Sequence, residues 1–337
     1  DPQLDAALLA CLAKLNTCLT PSGGPIGDEF IAGRQADAGE TGYEYCSIHE
    51  LLDTYTHLLQ KTGEMKWADR AEWLFLNAAQ GARHPSQPGI AYLKTDNSSS
   101  MTGALHPNDP QDPQNPQIRY KYSPVHQDVA VCCVPNAGRI ASYYVKSQWL
   151  RSPNGVVAAL YGASELQIEI NGVALKIFET TNYPFNLEIT FRVEVDLPTE
   201  FTLGLRKPVW ANGFSLSGAE NFSESDGLIS IRKIWSGSET LTLSFKTDVI
   251  ITPWGSDECF VSYGPLLFAL PLEGQSRPGR EYRTGFQDWY YDSAMLPASL
   301  TLPPNAKFVL QHSPFDPAHP WQSISLQCGL ELIPLGS

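Results

Sequence analysis

The sequence predicts a multidomain α + β protein, with a helical N-terminal part followed by antiparallel β-sandwich domains. Three observations carry this expectation. Through the first 150 residues apolar side chains recur at i, i+3, i+4 and i+7, the stripe of an amphipathic helix. After Asn154 the apolar period falls to two, as in strands that bury one face. The pairs Asn171-Gly172 and Asp226-Gly227 separate the alternating runs, and such pairs suit tight hairpins because both central residues need positive φ. The expected divisions are a helical domain over residues 1–150, a β-sandwich over 151–252 and a second, irregular β-region over 253–337.

Each element follows from its residues. Leu4, Leu8, Leu12 and Leu15 mark a first helix. From Cys46 onward, Ile48, Leu51, Leu52, Tyr55, Leu58 and Leu59 mark a second, which Gly63 ends. A third runs from about Trp67 to Ala79 with Ala71, Leu74, Phe75 and Ala78 inside. A fourth begins near Pro135, a residue suited to a first helical turn, and carries Ile140, Tyr143 and Tyr144. Between these two helices the Pro-, Asn- and Ser-rich stretch from Pro85 to Pro124 is long for a plain connection, so a pocket wall or lid is expected there. Strands are expected around Leu166–Ile170, Leu187–Val195, Phe201–Leu205 and Leu241–Phe245.

Composition narrows the function classes. The chain has 337 residues, 42% of them hydrophobic and 18% charged, which is ordinary for a globular protein. A net charge of −13 without a Lys/Arg-rich run argues against a nucleic-acid partner, since phosphate neutralisation supplies most of such affinity. The longest apolar stretch, Phe260 to Leu270, is too short and too interrupted to span a bilayer, so no membrane partner is expected. The opening residues show no basic segment and no initiator Met, so no signal peptide is expected and the chain reads as a mature product or a fragment. Free metal-binding thiols favour the cytoplasm, whereas the sequons at Asn97 and Asn221 allow secretion.

Seven cysteines are too few, and odd in number, for a disulfide framework. Cys132 and Cys133 are adjacent, and adjacent cysteines seldom bond each other. Glu44-Tyr45-Cys46 sets a carboxylate and a thiol on one side if its backbone is extended. The two elements together offer one oxygen and three sulfurs, a four-coordinate set that suits zinc better than magnesium or calcium. Neither element has the usual C-x₂₋₄-C spacing, and a cysteine in a helical core is more often packing. On the residues alone both readings stand.

The stretches GDEFIAGR, GYEYCSIHELLDTYTHLLQKTGEMKWADRAEWLFLNA and VCCVPNAGRIASYY resemble the central motifs of glycoside hydrolase family 127, the β-L-arabinofuranosidase family also called domain of unknown function 1680. NGVALKIFETTNYPF, FTLGLRKPVWANG and YGPLLFALPLEG resemble its β-sandwich segments, so the likeness runs with gaps from about residue 2 to 275. The resemblance implies an (α/α)₆ barrel followed by β-sandwich domains, the chain beginning about midway through the barrel. Another chain or fragment, or a homo-oligomer, is then expected to complete it. It implies zinc on Glu44, Cys46, Cys132 and Cys133, with Cys132 as nucleophile. The acid/base carboxylate falls on Asp28 by ungapped match and on Glu29 by the Gly-Asp-Glu form of the motif; Glu29 is preferred. Glu72 and Tyr92 match positions lining the family's sugar pocket.

Each of these residues has a plainer reading. Asp28 and Glu29 could be solvated loop carboxylates, Glu72 an exposed helix charge and Tyr92 a packed strand residue. His49, one turn after Cys46, could support the ligands or face solvent, and His126, six residues before Cys132, could reach a substrate. The expected function is a retaining glycosidase acting on a carbohydrate such as a β-L-arabinofuranoside. A zinc-bound thiolate and a carboxylic acid would divide the work, because a coordinating metal removes the thiol proton outright. The alternatives are a non-catalytic carbohydrate-binding or structural subunit with a structural zinc, and a lyase or isomerase on the same scaffold.

Overall fold

A computed structural model describes residues 1–27, 33–39, 41–97, 99–102, 119–127, 132–255, 258–293, 302 and 306–337. Among these residues five helices precede the main sheet: α1 (Pro2–Asn16), α2 (Tyr45–Thr62), α3 (Lys66–Leu76), α4 (Ala78–Gly81) and α5 (Cys133–Lys146). Asp1 caps α1 by accepting from the Gln3 N–H at 2.9 Å, with Pro2 in the first turn. Only Leu12 of α1 is buried. Gly63 ends α2 at φ +70, a conformation that costs glycine nothing, and its N–H closes on the Leu59 carbonyl. The expected third helix is interrupted at Asn77 (φ −112, ψ −78), and the short α4 follows. The Asn77 side chain donates to the Pro265 carbonyl at 3.0 Å and accepts from the Leu267 N–H at 2.8 Å. The break therefore lets one amide satisfy the backbone of a strand 190 residues away. Helices α2, α3 and α5 pack around Ile48, Leu52, Leu59, Ala71, Leu74 and Ile140.

The main sheet has eight strands and encloses one core. Two 19-residue strands, Glu188–Arg206 and Leu228–Lys246, pair antiparallel along their length, with a shift in register between Val195 and Thr199. Ile189, Phe191, Leu203, Leu205, Ile229, Ile231, Leu241 and Leu243 alternate into the same core, so the sheet curls over itself. The hairpin Ser164–Ile170/Val173–Thr181 turns at Asn171-Gly172 with φ +53 and +79, as the dipeptide predicts. The sheet is not wholly antiparallel. Strand Gly155–Ala158 runs parallel to residues 202–205, because the chain passes through the intervening hairpin before returning in the same direction. No helix among the described residues is long and apolar enough to cross a membrane.

Among the described residues the remaining strands form three further sheets, the smallest being the pair Tyr43–Glu44/Leu93–Lys94. Val249–Trp254, Glu258–Tyr263, Leu266–Ala269, Glu331–Pro334, Ile324–Gln327 and Val309–His312 make another. In the third, the hairpin Gln275–Arg283/Phe286–Asp292 pairs with Ser100–Met101 and Tyr122–Ser123, and the latter pairs with Ile90–Ala91. The Pro85–Pro124 stretch is thus partly strand, its backbone bonded by a hairpin from the far end of the chain. Lys121 and Asp288 meet across this seam at 2.9 Å, both buried, and the Tyr282 hydroxyl donates to Asp288 at 3.1 Å.

Helices and main sheet join through Arg206, which is fully buried. Its guanidinium donates to Asp69 at 2.6 Å, to Glu72, and to the Ala159 carbonyl at 2.5 Å. Burial works against its charge, but Glu72 and Asp69 hold it protonated. Removing one partner of such a pair leaves a buried charge uncompensated, so Arg206→Ala is expected to lower stability by about 3–5 kcal/mol in urea titrations. A loss under about 1 kcal/mol would show that water reaches the carboxylates.

Glu179 supplies a second test. Its carboxylate accepts from the Gly162 N–H at 2.9 Å and the Ser164 hydroxyl at 3.1 Å, yet burial outweighs both and pushes the carboxyl from 4.5 up to about 8. A raised carboxyl favours the protonated folded state, so its contribution is complete below about 4.5 and is lost as pH rises to about 8. Glu179→Gln is expected to flatten the fall in Tm across that window. An unchanged slope would place the ionisation elsewhere.

Candidate metal and thiol site

The site forms where two helices begin side by side. Strand Tyr43–Glu44 pairs with Leu93–Lys94 and then turns into α2, Glu44 remaining extended at φ −118, ψ 157. Tyr43 and Tyr45 are fully buried on either side of it, and the Tyr45 hydroxyl donates to the Ala79 carbonyl at 2.7 Å. Cys46 therefore falls in the first turn of α2. Across from it, Cys132 caps α5 and Cys133 opens it, and the Asn136 N–H returns to the Cys132 carbonyl at 3.2 Å.

This juxtaposition gathers three thiols. The Sγ atoms of Cys46, Cys132 and Cys133 lie within 4.8 Å of one another, and those of Cys46 and Cys133 are 3.5 Å apart. A tetrahedral zinc with Zn–S bonds of about 2.3 Å separates its sulfurs by about 3.8 Å, so the donor set fits zinc in kind and spacing. The three differ in access: Cys133 is buried, Cys46 intermediate and Cys132 exposed. The S–H of Cys133 lowers the Cys46 thiol to about 6 against the effect of burial, with help from Cys132, from the Asn136 amide and from His49. Burial and neighbouring Cys46 push Cys132 up, and so does the charge of Glu44. Cys133 is pushed up more strongly, mainly by its hydrogen bond to Cys46. One thiolate shared by three sulfurs is what the protein stabilises by itself.

The other expected residues divide. Tyr92 is buried beside the cluster, where burial and the charges of Glu44, Cys133 and Cys132 hold its hydroxyl protonated, and Arg119 lies 5.1 Å from its ring centre. His126 meets the Tyr92 ring edge-on at 5.7 Å, its Nε2 2.9 Å from the Ile90 carbonyl. That carbonyl can only accept, so Nε2 carries the proton. His126 has φ +47, and its N–H donates to the Ser123 hydroxyl at 2.9 Å. His49 is buried edge-on against Tyr143 at 4.7 Å, not exposed.

Glu72 stands apart. The exposed charge that its helical position suggests is instead 1% exposed, with its carboxylate engaged by Arg206 and by the Trp210 indole N–H at 3.4 Å. Asp28 and Glu29 lie outside the described residues. Gly27, just before them, is described: a Cβ there would come within 2.4 Å of the Glu44 nitrogen and 2.7 Å of its Cγ. Only glycine allows this approach, which brings the chain against Glu44 at the point where the two carboxylates follow.

Two residues escaped the sequence reading. Asn136 donates from Nδ2 to Cys46 Sγ at 3.0 Å, and Arg139 donates to Asn136 Oδ1, fixing the amide's orientation. The signal was present in the spacing, since Asn136 lies one helical turn from Cys133.

Comparisons with known proteins bear on this arrangement. Residues 155–247 match the family model described as the β-L-arabinofuranosidase GH127 middle domain. No curated protein sequence matches the chain. Its fold is similar to that of a GH127 β-L-arabinofuranosidase from Geobacillus stearothermophilus T6, with TM-score 0.62 and 19% identity over 94% of this chain and 52% of that one. A GH127 β-arabinofuranosidase is similar at TM-score 0.62 and 16% identity over 95% of this chain and 51% of that one. A further glycoside hydrolase gives 0.59 and 17% over 88% and 50%. The chain thus spans about half the length of the solved structures it resembles. The family's middle-domain model thus matches residues 155–247 of the main sheet, and the chain shares the fold of these solved structures on both sides of it.

Proposed function

We propose that the chain carries the zinc-thiolate centre of a retaining glycosidase acting on β-L-arabinofuranosides. The observation that supports it most is the trio of sulfurs at zinc-compatible spacing, of which only Cys132 is exposed. In this reading Glu44, Cys46, Cys132 and Cys133 hold zinc, and helices α2, α3 and α5 belong to an (α/α)₆ barrel. The corresponding division is 1–150, 151–252 and 253–337.

Zinc would supply the positive charge that keeps the thiols ionised. The chain's residues do the rest. Cys132, the reachable thiolate, attacks the anomeric carbon as the glycosidic bond breaks. Glu29 or Asp28 gives its proton to the leaving oxygen. The same carboxylate then takes a proton from water, which displaces sulfur, and two inversions leave the configuration retained. Asn136 and Arg139 orient Cys46, while Tyr92 and His126 form one flank. Both are buried, and the Nε2–H of His126 is spent on the Ile90 carbonyl, so the pair braces the wall from behind. Glu72 is assigned to holding α3 on the sheet.

Metal content tests the ligands. The purified chain is expected to hold close to one equivalent of zinc, and Cys46→Ser or Cys133→Ser to hold little. Asn136→Ala, which removes only the hydrogen bond to Cys46, is expected to weaken zinc about 10–100-fold in competition with a chelator. Full zinc in both serine variants would remove the site.

Activity tests the chemistry. An aryl β-L-arabinofuranoside is expected to be cleaved with retention, read from the first product by NMR. Cys132→Ser should lower kcat by about 10³-fold or more, and Glu29→Gln should slow poor leaving groups most. Stoichiometric zinc with no hydrolysis of any arabinofuranoside would leave a carbohydrate-binding role with a structural metal.

A further inference from the structure

A cleft of about 510 Å³ opens beside the thiol site, and no assigned role accounts for it. Its walls are the first turns of α5 (Val134, Ala137), the turn from Arg83 to Ile90, and the hairpin residues Tyr282, Arg283 and Phe286. Two of its lining residues adjoin parts of the thiol site: Val134 follows Cys133 in the chain, and the Ile90 carbonyl holds His126. Its volume lies in the range of small-molecule sites and suits one or two sugar rings.

The charge of the cleft departs from that of the chain. The protein carries −13 overall, yet among the described residues no acidic side chain lines this cleft, while Arg83, His84 and Arg283 do. All three are preset. Arg83 donates through Nη2 to the Ala137 carbonyl at 2.6 Å, and it lies 5.4 Å from the Tyr45 ring centre and hydrogen-bonds the Tyr45 side chain, so part of its five-donor fork remains for a ligand. Arg283 lies 3.9 Å from the centre of the Phe286 ring. A guanidinium stacked by its face keeps its N–H edge for an anion. His84 accepts at Nδ1 from the Ser86 and Gln87 N–H groups at 3.2 and 3.1 Å, so its proton sits on Nε2 as a donor. Tyr282 is held by its bond to Asp288, itself tied to Lys121. Rigid donors beside aromatic walls suit a ring carrying a planar carboxylate.

We propose that this cleft is a subsite for a carboxylated saccharide, a uronic-acid unit next to the sugar that is cleaved, with its carboxylate taken by Arg83, His84 and Arg283. The inference rests on the reading of the chain as carbohydrate-active, and it adds an acidic class of substrate to it. A neutral oligosaccharide would leave the two guanidinium edges without a partner better than water.

Calorimetry on the purified chain tests this directly, with an α-1,4-linked galacturonate trisaccharide, a neutral galactose trisaccharide and inorganic phosphate as probes. At about 50 mM salt the galacturonate is expected to bind and to weaken as salt rises, while the neutral trisaccharide binds at least about tenfold more weakly. Arg283→Gln, exposed on the hairpin, is expected to weaken galacturonate about tenfold or more, with zinc content and Tm unchanged as evidence of folding. Equal binding of the acidic and neutral trisaccharides would overturn the proposal. So would no binding, an unaffected Arg283→Gln, or phosphate binding as tightly as galacturonate, which would make this a bare anion site. Galacturonate binding without hydrolysis of any arabinofuranoside would remove the enzymatic reading and keep the subsite; hydrolysis without such binding would do the reverse.

Discussion

Arg206 is the charge on which the helical part and the main sheet depend together. A guanidinium taken wholly out of water is tolerable only if its donors are met, and Asp69, Glu72 and the Ala159 carbonyl meet them. Asp69 and Glu72 lie one turn apart on α3, and Arg206 ends a 19-residue strand, so the triad sets both the rotation of α3 and its position on the sheet. The Asn77 amide adds a neutral clamp further along the same helix. Because α3 packs on α2 and α5, this anchoring passes directly to the helices whose first turns hold the thiols.

Those first turns explain the chemistry available. A helix start is where a side chain projects beside unsatisfied N–H groups, and two such starts facing each other converge three sulfurs without long-range loops. Glu44 is kept extended by its pairing with Leu93 and by the close approach of Gly27, so a carboxylate stands beside the sulfurs and raises the cost of a second thiolate. The cluster is electrostatically frustrated as built from protein alone, with one thiol lowered and two raised. A bound cation would favour the ionised form of all three thiols.

The hairpin Gln275–Asp292 pairs with described parts of the connection between α4 and α5. Its pairing with residues 100–101 and 122, and the buried Lys121–Asp288 contact, turn a Pro- and Ser-rich stretch into the wall of a cleft. The same hairpin brings Arg283 to that wall. A far segment of the chain thus shapes the surroundings of residues that precede it by more than 150 positions.

Local pattern determined the helices and most strands. The leucine stripe of α2 ending at Gly63, the alternation through residues 187–205 and the two turn dipeptides are short-range signals, and short-range sterics and burial decide them. The sequence singled out the three cysteines by their family resemblance, since on spacing alone a packing role was as plausible. What it left open was decided by contacts between distant residues. Glu72 sits where helical spacing suggests a surface charge, and only the arrival of Arg206 from 134 residues away makes that position interior. The parallel pairing of residues 155–158, the break of α3 at Asn77 and the arginine-lined cleft have the same origin. Periodicity states which face of an element is buried, whereas the partner that buries it belongs to the tertiary structure.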